Sequence, residues 1–394
     1  MMKPLKYLAG LTALMCTPLM GCETGSDGDW HLQPAEAIEE AIINGRSCTE
    51  AEYPTAVAII TDAAITVQGF GTQEVVQISC TGTLIAPDVV LTAAHCLDPT
   101  LLTMGFGEVD RASYWVSPEA DLSSLAGESA VLPASAIEAV EFIKHPGFDI
   151  NSMNNVTGPG DFSDIGLIFL KEPMELTPAI VISREEASQM TTGLSVGIAG
   201  WGQQTAEQQS MWEPPEPGSV GVKICAESTI NEIGEMEMQI GADSTTSRKC
   251  HGDSGGPTYL DIETTSENKR RVIGITSHAY DQSDCEKGGV DTRVDVWLSW
   301  IEDKMTSGCT SGTRVWCDVP GIIPASYYDP VVDGGAGNGN GAGDGTGNGK
   351  GEDGGGCAQT GVPAPLLFLL LGLGSLVLRR RASSLKTSEI RFRK

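Results

Sequence analysis

Between residues 42 and 306 the chain alternates short apolar runs with turn-forming residues. The runs TAVAII (55–60), EVVQIS (74–79), DVVLTA (88–93) and DIGLIFL (164–170) are rich in Val and Ile and are broken by Gly, Pro and Asn. Runs of this length predict β-strands, and many of them without long helices between predict an all-β sandwich or barrel. A helical period is convincing in VDVWLSWIEDKM (294–305), where Val294, Trp297, Leu298 and Ile301 fall on one face. A helix there closes the β-rich region.

The flanks have a different texture. Lys3 and Lys6 precede an apolar stretch from Tyr7 that ends in LMGC (19–22), the layout of a secretory signal over residues 1–21. LMGC resembles the bacterial lipobox, which implies that Cys22 carries a lipid; an ordinary cleaved signal with an incidental Cys is the other reading. Residues 22–41 are polar and acidic, as in a tether or pro-segment. After the helix, GCTSGTRVWC (308–317) predicts a small loop closed by Cys309 and Cys317 within an extension over 307–332. Residues 333–356, almost wholly Gly, Asn, Asp and Ala, bury too little to offset chain entropy and predict a flexible stalk.

Beyond the stalk, in residues 357–394, come Cys357, the apolar run APLLFLLLGLGSLVL (364–378) and Arg379, Arg380 and Arg381. At ~1.5 Å per residue this run spans only ~22 Å as a helix, short of a ~30 Å hydrocarbon core. The order resembles the MYXO-CTERM sorting tails of myxobacterial surface proteins, which implies processing near Cys357 and surface attachment. Here the chain continues past the arginines to Lys394, a departure from that pattern. A plain transmembrane helix with positive-inside arginines is the alternative.

Charge and cysteines narrow the function class. The 394 residues carry 52 acids against 25 Lys and Arg, a net charge of −27. Seven of those cations lie in the last sixteen positions and two in the first six, so the body is acidic and repels phosphate backbones. Nucleic acid is therefore excluded as a partner. Of eleven cysteines, Cys16, Cys22 and Cys357 lie in the signal and tail; the remaining eight suit four disulfides in an oxidising compartment. No CxxC or HExxH spacing occurs, so neither a metal nor a cofactor is expected.

The candidate chemistry lies in RKCHGDSGGP (248–257). Nucleophilic catalysis by serine needs a hydroxyl on a tight turn, a base, a group that orients the base, and amide donors for an oxyanion. GDSGG supplies the first through Ser254; the GxSxG pattern alone is shared with α/β-hydrolases. TAAHC (92–96) places His95 before Cys96, and DIGLIFL places Asp164 at the start of an apolar strand. The order His95, Asp164, Ser254 differs from the Ser, Asp, His order of α/β-hydrolases. That order and the barrel-like texture disfavour an esterase of that type.

Six segments in order, IING (42–45), TAAHC, SDIGLIFL (163–170), GWG (200–202), CHGDSGGP (250–257) and ITS (275–277), resemble those of trypsin/chymotrypsin-like serine proteases over about residues 42–305. The resemblance implies two six-stranded antiparallel β-barrels with the active site in the cleft between them and a C-terminal helix. It implies His95 as general base, Asp164 as its orienter, Ser254 as nucleophile, and the amides of Gly252 and Ser254 as the oxyanion hole. It implies the disulfides Cys48–Cys225, Cys80–Cys96 and Cys250–Cys285. It further implies cleavage before Ile42 by an activating protease, the new amine pairing with Asp253. Substrates would be proteins or peptides, and the enzyme would be exported and held at the outer membrane or cell surface, or shed.

In that family the residue six before the nucleophile floors the primary specificity pocket, and here it is Arg248. Arg248, with His251 and His278 near the rim and Ser277 and Ala279 along the substrate-pairing strand, implies an acidic or otherwise non-basic residue before the cut. The alternative turns Arg248 outward toward Asp243, Asp281 or Asp284. His145, in KHPGF, reads as packing. The 69 positions between His95 and Asp164 predict an insertion along the cleft rim. A protease-like binding protein that keeps the fold without catalysis is the alternative function, although no triad member is missing.

Overall fold

Apolar runs that are continuous, without polar alternation, must bury both faces of a strand. The computed structural model describes residues 42–322 apart from 50, 68–70, 104–106, 127–129, 154–155, 203–219, 251 and 282–283. The signal, Cys22, His251, the 333–356 stalk and the 357–394 tail lie outside the described residues. The first half contains β1 (Arg46–Ser47), β2 (Ala56–Val67), β3 (Gly71–Ala86), β4 (Val89–Thr92), the short α1 (Pro99–Thr103), β5 (Gly107–Ser117), β6 (Ile137–Lys144) and β7 (Gly166–Leu170). Strands β2, β3, β4, β7, β6 and β5 close a barrel in that order.

The second half contains β8 (Ser195–Gly200), β9 (Ile224–Ile233), β10 (Glu237–Ile240), β11 (Pro257–Asp261), β12 (Arg270–Asp281) and β13 (Asp284–Arg293). The order β9, β10, β13, β12, β11, β8 returns from β8 to β9, making a second barrel, with β1 added on β9. All these strand pairings are antiparallel. The all-β, two-barrel architecture expected above is the one observed.

Each barrel has its own interior, and a third apolar layer joins them. Val90 of β4 and Ile168 and Leu170 of β7 point into the first barrel with Val57, Ile59 and Leu84. Their neighbours Val89, Leu91, Leu167 and Phe169 face the other way, against Tyr259, Val272, Ile275 and Val294 of the second half. Ile182, Val196, Ile198, Ile230, Met238 and Ile273 fill the second barrel.

The terminal helix α2 runs Leu298–Ser311, beyond the expected end at 305, preceded by a short 3-10 turn at Asp295–Trp297. The extension follows from local chemistry. Gly312, at φ 80°, caps the helix and donates its amide to Gly308 O, and the Cys309–Cys317 disulfide ties the last turn to the loop beyond. The other disulfides join Cys48 to Cys225, Cys80 to Cys96 and Cys250 to Cys285. Four such bonds fit an oxidising compartment outside the cytoplasm.

The loop after α2 is clamped to the first barrel. The Arg314 guanidinium donates to both carboxylate oxygens of Asp88, 2.8–3.3 Å away, in the turn between β3 and β4. The amides of Val315 and Trp316 donate to Asp88 Oδ2 at 3.0 Å. Both ionic side chains are fully buried. Removing one partner strands the other, so Asp88→Ala is expected to cost about 3–5 kcal/mol in reversible urea unfolding.

Candidate active site

Strands β4 and β7 lie side by side with Thr92 opposite Gly166, which brings the residues just past one end and just before the other together. His95 and Asp164 occupy those positions. The His95 amide donates to Asp164 Oδ1 at 2.9 Å, and His95 Nδ1 lies 2.7 Å from Oδ2. A carboxylate only accepts, so Nδ1 carries the proton and Nε2 presents a lone pair. Nε2 is buried and has no hydrogen-bond partner among the described residues.

Asp164 is wholly buried. Ser277 Oγ donates to its Oδ2 at 2.7 Å, and Thr292 Oγ1 donates to its backbone carbonyl at 3.1 Å. Burial alone would raise its carboxyl, but His95, through its ring and its amide, and the Ser277 hydroxyl outweigh that and hold it below its ordinary value. The result is a fixed anion behind the imidazole.

The Ser254 turn is wired into both halves. The Thr81 amide donates to Ser254 O at 2.8 Å, Gly255 N donates to Thr276 O at 2.8 Å, and Thr81 Oγ1 donates to Gly252 O at 3.2 Å. Gly252 and Gly255 have φ of 93° and 75°. A Cβ on Gly255 would lie 2.1 Å from Thr92 Oγ1 and 2.4 Å from Thr81 O, so only glycine lets the turn approach the segment leading to His95. Neither the Gly252 nor the Ser254 amide donates to another described residue, which leaves both available to an oxyanion.

Asp253 is fully buried; its carboxylate accepts the amides of Gly202 at 3.0 Å and Cys250 at 2.9 Å. Burial pushes its carboxyl up to about 6 against those two bonds. Ile42 is also buried, packed with Ile182, Val196 and Ile198, while Ile43 exchanges backbone bonds of 2.9 and 3.1 Å with Arg248. The IING segment therefore runs beside the chain that leads into the Ser254 turn.

Arg248 is 3% exposed and its guanidinium donates to the carbonyl of Asp243. That is the outward partner residue named as the alternative, reached through its backbone, while Nε has no partner among the described residues. Asp281 instead pairs with Lys287 at 2.7 Å. Nothing in the residue pattern indicates what its neighbour Lys249 does. Lys249 Nζ is buried against Asp291 Oδ2 at 2.8 Å and Thr258 Oγ1 at 2.6 Å. His278 is corrected as an aid to an anionic substrate: Nδ1 lies 2.9 Å from Ala279 O and Nε2 3.2 Å from Glu237 Oε2, so neither ring nitrogen is free. His145 packs on Trp297 and Trp300, with ring centroids 4.5 and 5.2 Å away.

Cys80, Cys96 and His95 place sulfur and nitrogen atoms within 4.8 Å of one another. Both sulfurs are spent on the disulfide and Nδ1 is engaged by Asp164, so this donor set does not suit a metal.

Comparison with known proteins gives a consistent result. The trypsin family model matches residues 42–301. Glandular kallikrein of Sus scrofa is 25% identical over 281 residues, covering 69% of this chain and 99% of that protein. Melanization protease 1 of Drosophila melanogaster is 25% identical over 287 residues, covering 68% of this chain and 67% of that protein. A solved structure of neuropsin, a serine protease of mouse brain, is 25% identical and covers 67% of this chain and 100% of its own, with a TM-score of 0.45.

Proposed function

Because the chain belongs to the trypsin family and is a serine endopeptidase, we propose that it is an exported, surface-associated one, made as a zymogen and opened before Ile42. The observation that carries the catalytic assignment is the buried Asp164 bonded to His95 through Nδ1, with Nε2 unpartnered among the described residues and Gly255 packed against the Thr92–Ala93 segment that leads to His95.

Ser254 Oγ attacks the scissile carbonyl carbon while His95 Nε2 takes the hydroxyl proton. The carbonyl oxygen, now an anion, is received by the Gly252 and Ser254 amides. Collapse breaks the C–N bond, and the imidazolium returns its proton to the leaving amine. Water then loses a proton to Nε2, attacks the Ser254 ester and releases the acid, restoring the hydroxyl. Asp164 fixes the tautomer and stabilises the imidazolium throughout.

The buried Asp253 supports activation by cleavage. Its carboxyl is pushed up to about 6 by burial, although the charge of Lys249, itself paired with Asp291, opposes the shift. A group raised in the folded state stabilises the fold at low pH, and that contribution is lost as pH rises from its ordinary value near 4 through about 6. A new Ile42 ammonium beside Asp253 removes the loss. Cut protein is therefore expected to exceed uncut protein in Tm above pH 6, with the difference shrinking toward pH 4. Its kcat/KM is expected to rise about 10²–10³-fold as the oxyanion hole is ordered. Equal activity of the uncut form would refute the zymogen assignment.

The same reading divides the chain into a signal (1–21), a pro-segment from Cys22 to 41, the protease domain (42–306), an extension (307–332), the stalk (333–356) and the anchoring tail (357–394). All four disulfides join residues after Ile42. Cleavage there releases the domain from a lipid on Cys22 and leaves retention to the tail.

Specificity follows from charge. Arg248 and Lys249 are two buried cations on the chain leading into the Ser254 turn, and Asp291, which pairs with Lys249, is also bound by Thr258. A Lys or Arg side chain entering there would meet this positive charge, with Asp291 already engaged by Lys249. A cleavage profile on a proteome-derived peptide library, with protein opened at Ile42, is expected to be depleted in Lys and Arg before the cut and to favour acidic or other non-basic residues. A profile dominated by Lys or Arg would overturn this assignment.

A further inference from the structure

Among the buried ionisable pairs that the mechanism does not use, that of Glu237 and His278 adjoins Ser277, which bonds Asp164. Glu237, at the start of β10, is wholly buried, and its Oε2 receives both His278 Nε2 at 3.2 Å and the Gly160 amide at 2.8 Å. Its Oε1 has no partner among the described residues. His278 follows Ser277 on β12, and its Nδ1 lies 2.9 Å from the carbonyl of Ala279. A carbonyl and a carboxylate can only accept, so both ring nitrogens must donate. With Glu237 ionised, His278 is an imidazolium.

The pair lies where two routes to Asp164 meet. The first is the chain that carries it. Thr157 bridges Asp281, Gly158 N donates to Tyr280 O at 2.9 Å, Gly160 N donates to Glu237, and the Phe162 ring stands edge-on to His278 at 5.8 Å and 89°. Asp164 follows two residues later. The second route is Ser277, adjacent to His278, whose hydroxyl bonds Asp164 Oδ2.

We propose that Glu237 and His278 form a buried ion pair that positions Asp164, fixing both the segment that bears it and the strand residue that bonds it. The proposal rests on the assignment of Asp164 as orienter of His95. Both are assigned as positioning residues, acting through Asp164.

The charged groups facing His278 among the described residues are Glu237 from β10 and Asp164 from the segment before β7, itself paired with His95. Phe162 faces it from the 156–163 segment, and Val290 is its register partner on β13. Burial would lower the imidazole, but the hydrogen bond and charge of Glu237, the bond to Ala279 and the charge of Asp164 outweigh this and raise it. A raised histidine contributes fully below its ordinary value and loses that contribution as pH rises through the folded one. Loss of the Nε2 proton turns a lone pair toward Oε2 and leaves a buried carboxylate uncompensated. The anchor at Gly160 then loosens on the alkaline side.

The test combines ring NMR with kinetics on the full chain. In Ser254→Ala protein, which cannot digest itself, ¹H–¹⁵N correlations of the His278 ring at pH 7 are expected to show both nitrogens protonated. In Ser254→Ala/Glu237→Gln protein one of them is expected to be bare. In active protein opened at Ile42, Glu237→Gln is expected to move the alkaline break of kcat/KM down by about one pH unit, equal to a tenfold loss of proton affinity. His278→Gln, which keeps an amide donor without titrating, is expected to remove that break while retaining more kcat than His278→Phe. A neutral His278 at pH 7, or a break unmoved in Glu237→Gln, overturns the proposal. Inactivity of the opened wild type would instead strike the catalytic assignment, and with it the role given to the pair, while the ring spectra still report whether the ion pair exists.

Discussion

Ser254→Ala in protein opened at Ile42 is expected to lower kcat by about 10⁶-fold while leaving the fold and the unfolding transition unchanged. The magnitude follows from the way a nucleophile and its base act as one unit, so that losing either forfeits nearly the whole chemical advantage. Alanine removes the one atom that attacks. The turn itself survives, because its contacts are made by backbone: Ser254 O with Thr81, Gly255 N with Thr276 O, and Gly256 N with Asp253 O. A residual rate of about 10³–10⁴ over water is expected from the oxyanion amides and substrate binding. Steady-state kinetics on a peptide amide, with a urea unfolding curve as control, checks both halves.

Asp164→Asn is expected to cost about 10⁴-fold in kcat with little change in KM. The geometry gives the reason. Asp164 Oδ1 accepts the His95 amide, and Oδ2 accepts both His95 Nδ1 and Ser277 Oγ. An asparagine keeps its carbonyl toward the backbone amide, which turns its NH₂ toward Nδ1. Nδ1 must then accept, the ring proton moves to Nε2, and the base is blocked where it must receive the Ser254 proton. Ser277 adapts by rotating its hydroxyl, so the site stays folded. A variant within tenfold of wild type would show that Asp164 does not set the tautomer.

Much of this was legible in the chain. The apolar runs at 55–60, 74–79, 88–93 and 164–170 fall within or overlap β2, β3, β4 and β7, because short β-branched runs ended by Gly, Pro or Asn leave little alternative. The His95, Asp164, Ser254 order and the flanking motifs point to the barrels, and of the three the structure joins His95 to Asp164 by hydrogen bonds. The length of α2 was less legible, since Gly308 and the following Ser and Thr read as a terminus until the Gly312 cap and the Cys309–Cys317 bond are counted.

What stayed hidden was long-range pairing of charge. Arg314 meets Asp88 across 226 positions, Lys249 meets Asp291 across 42, and His278 meets Glu237 across 41. An alternating strand pattern reveals which residues share a face, but not which charge waits across the neighbouring strand. Glu237 and Asp291 sit in strands where an acid reads as surface, and each is instead neutralised inside. Arg248 and Lys249 are likewise adjacent cations in the sequence. Buried side by side, they take different partners, a carbonyl and a carboxylate.

The central claim is that Ser254 is a nucleophile activated by His95 once Ile42 is a free terminus. Its most direct test is labelling with a fluorophosphonate probe, mapped by peptide mass spectrometry on protein before and after cleavage at Ile42. The account predicts one adduct, on Ser254, strong in the cut protein, weak in the uncut chain and absent in His95→Ala. No adduct in the cut protein, or an adduct that persists at full rate without His95, would contradict it.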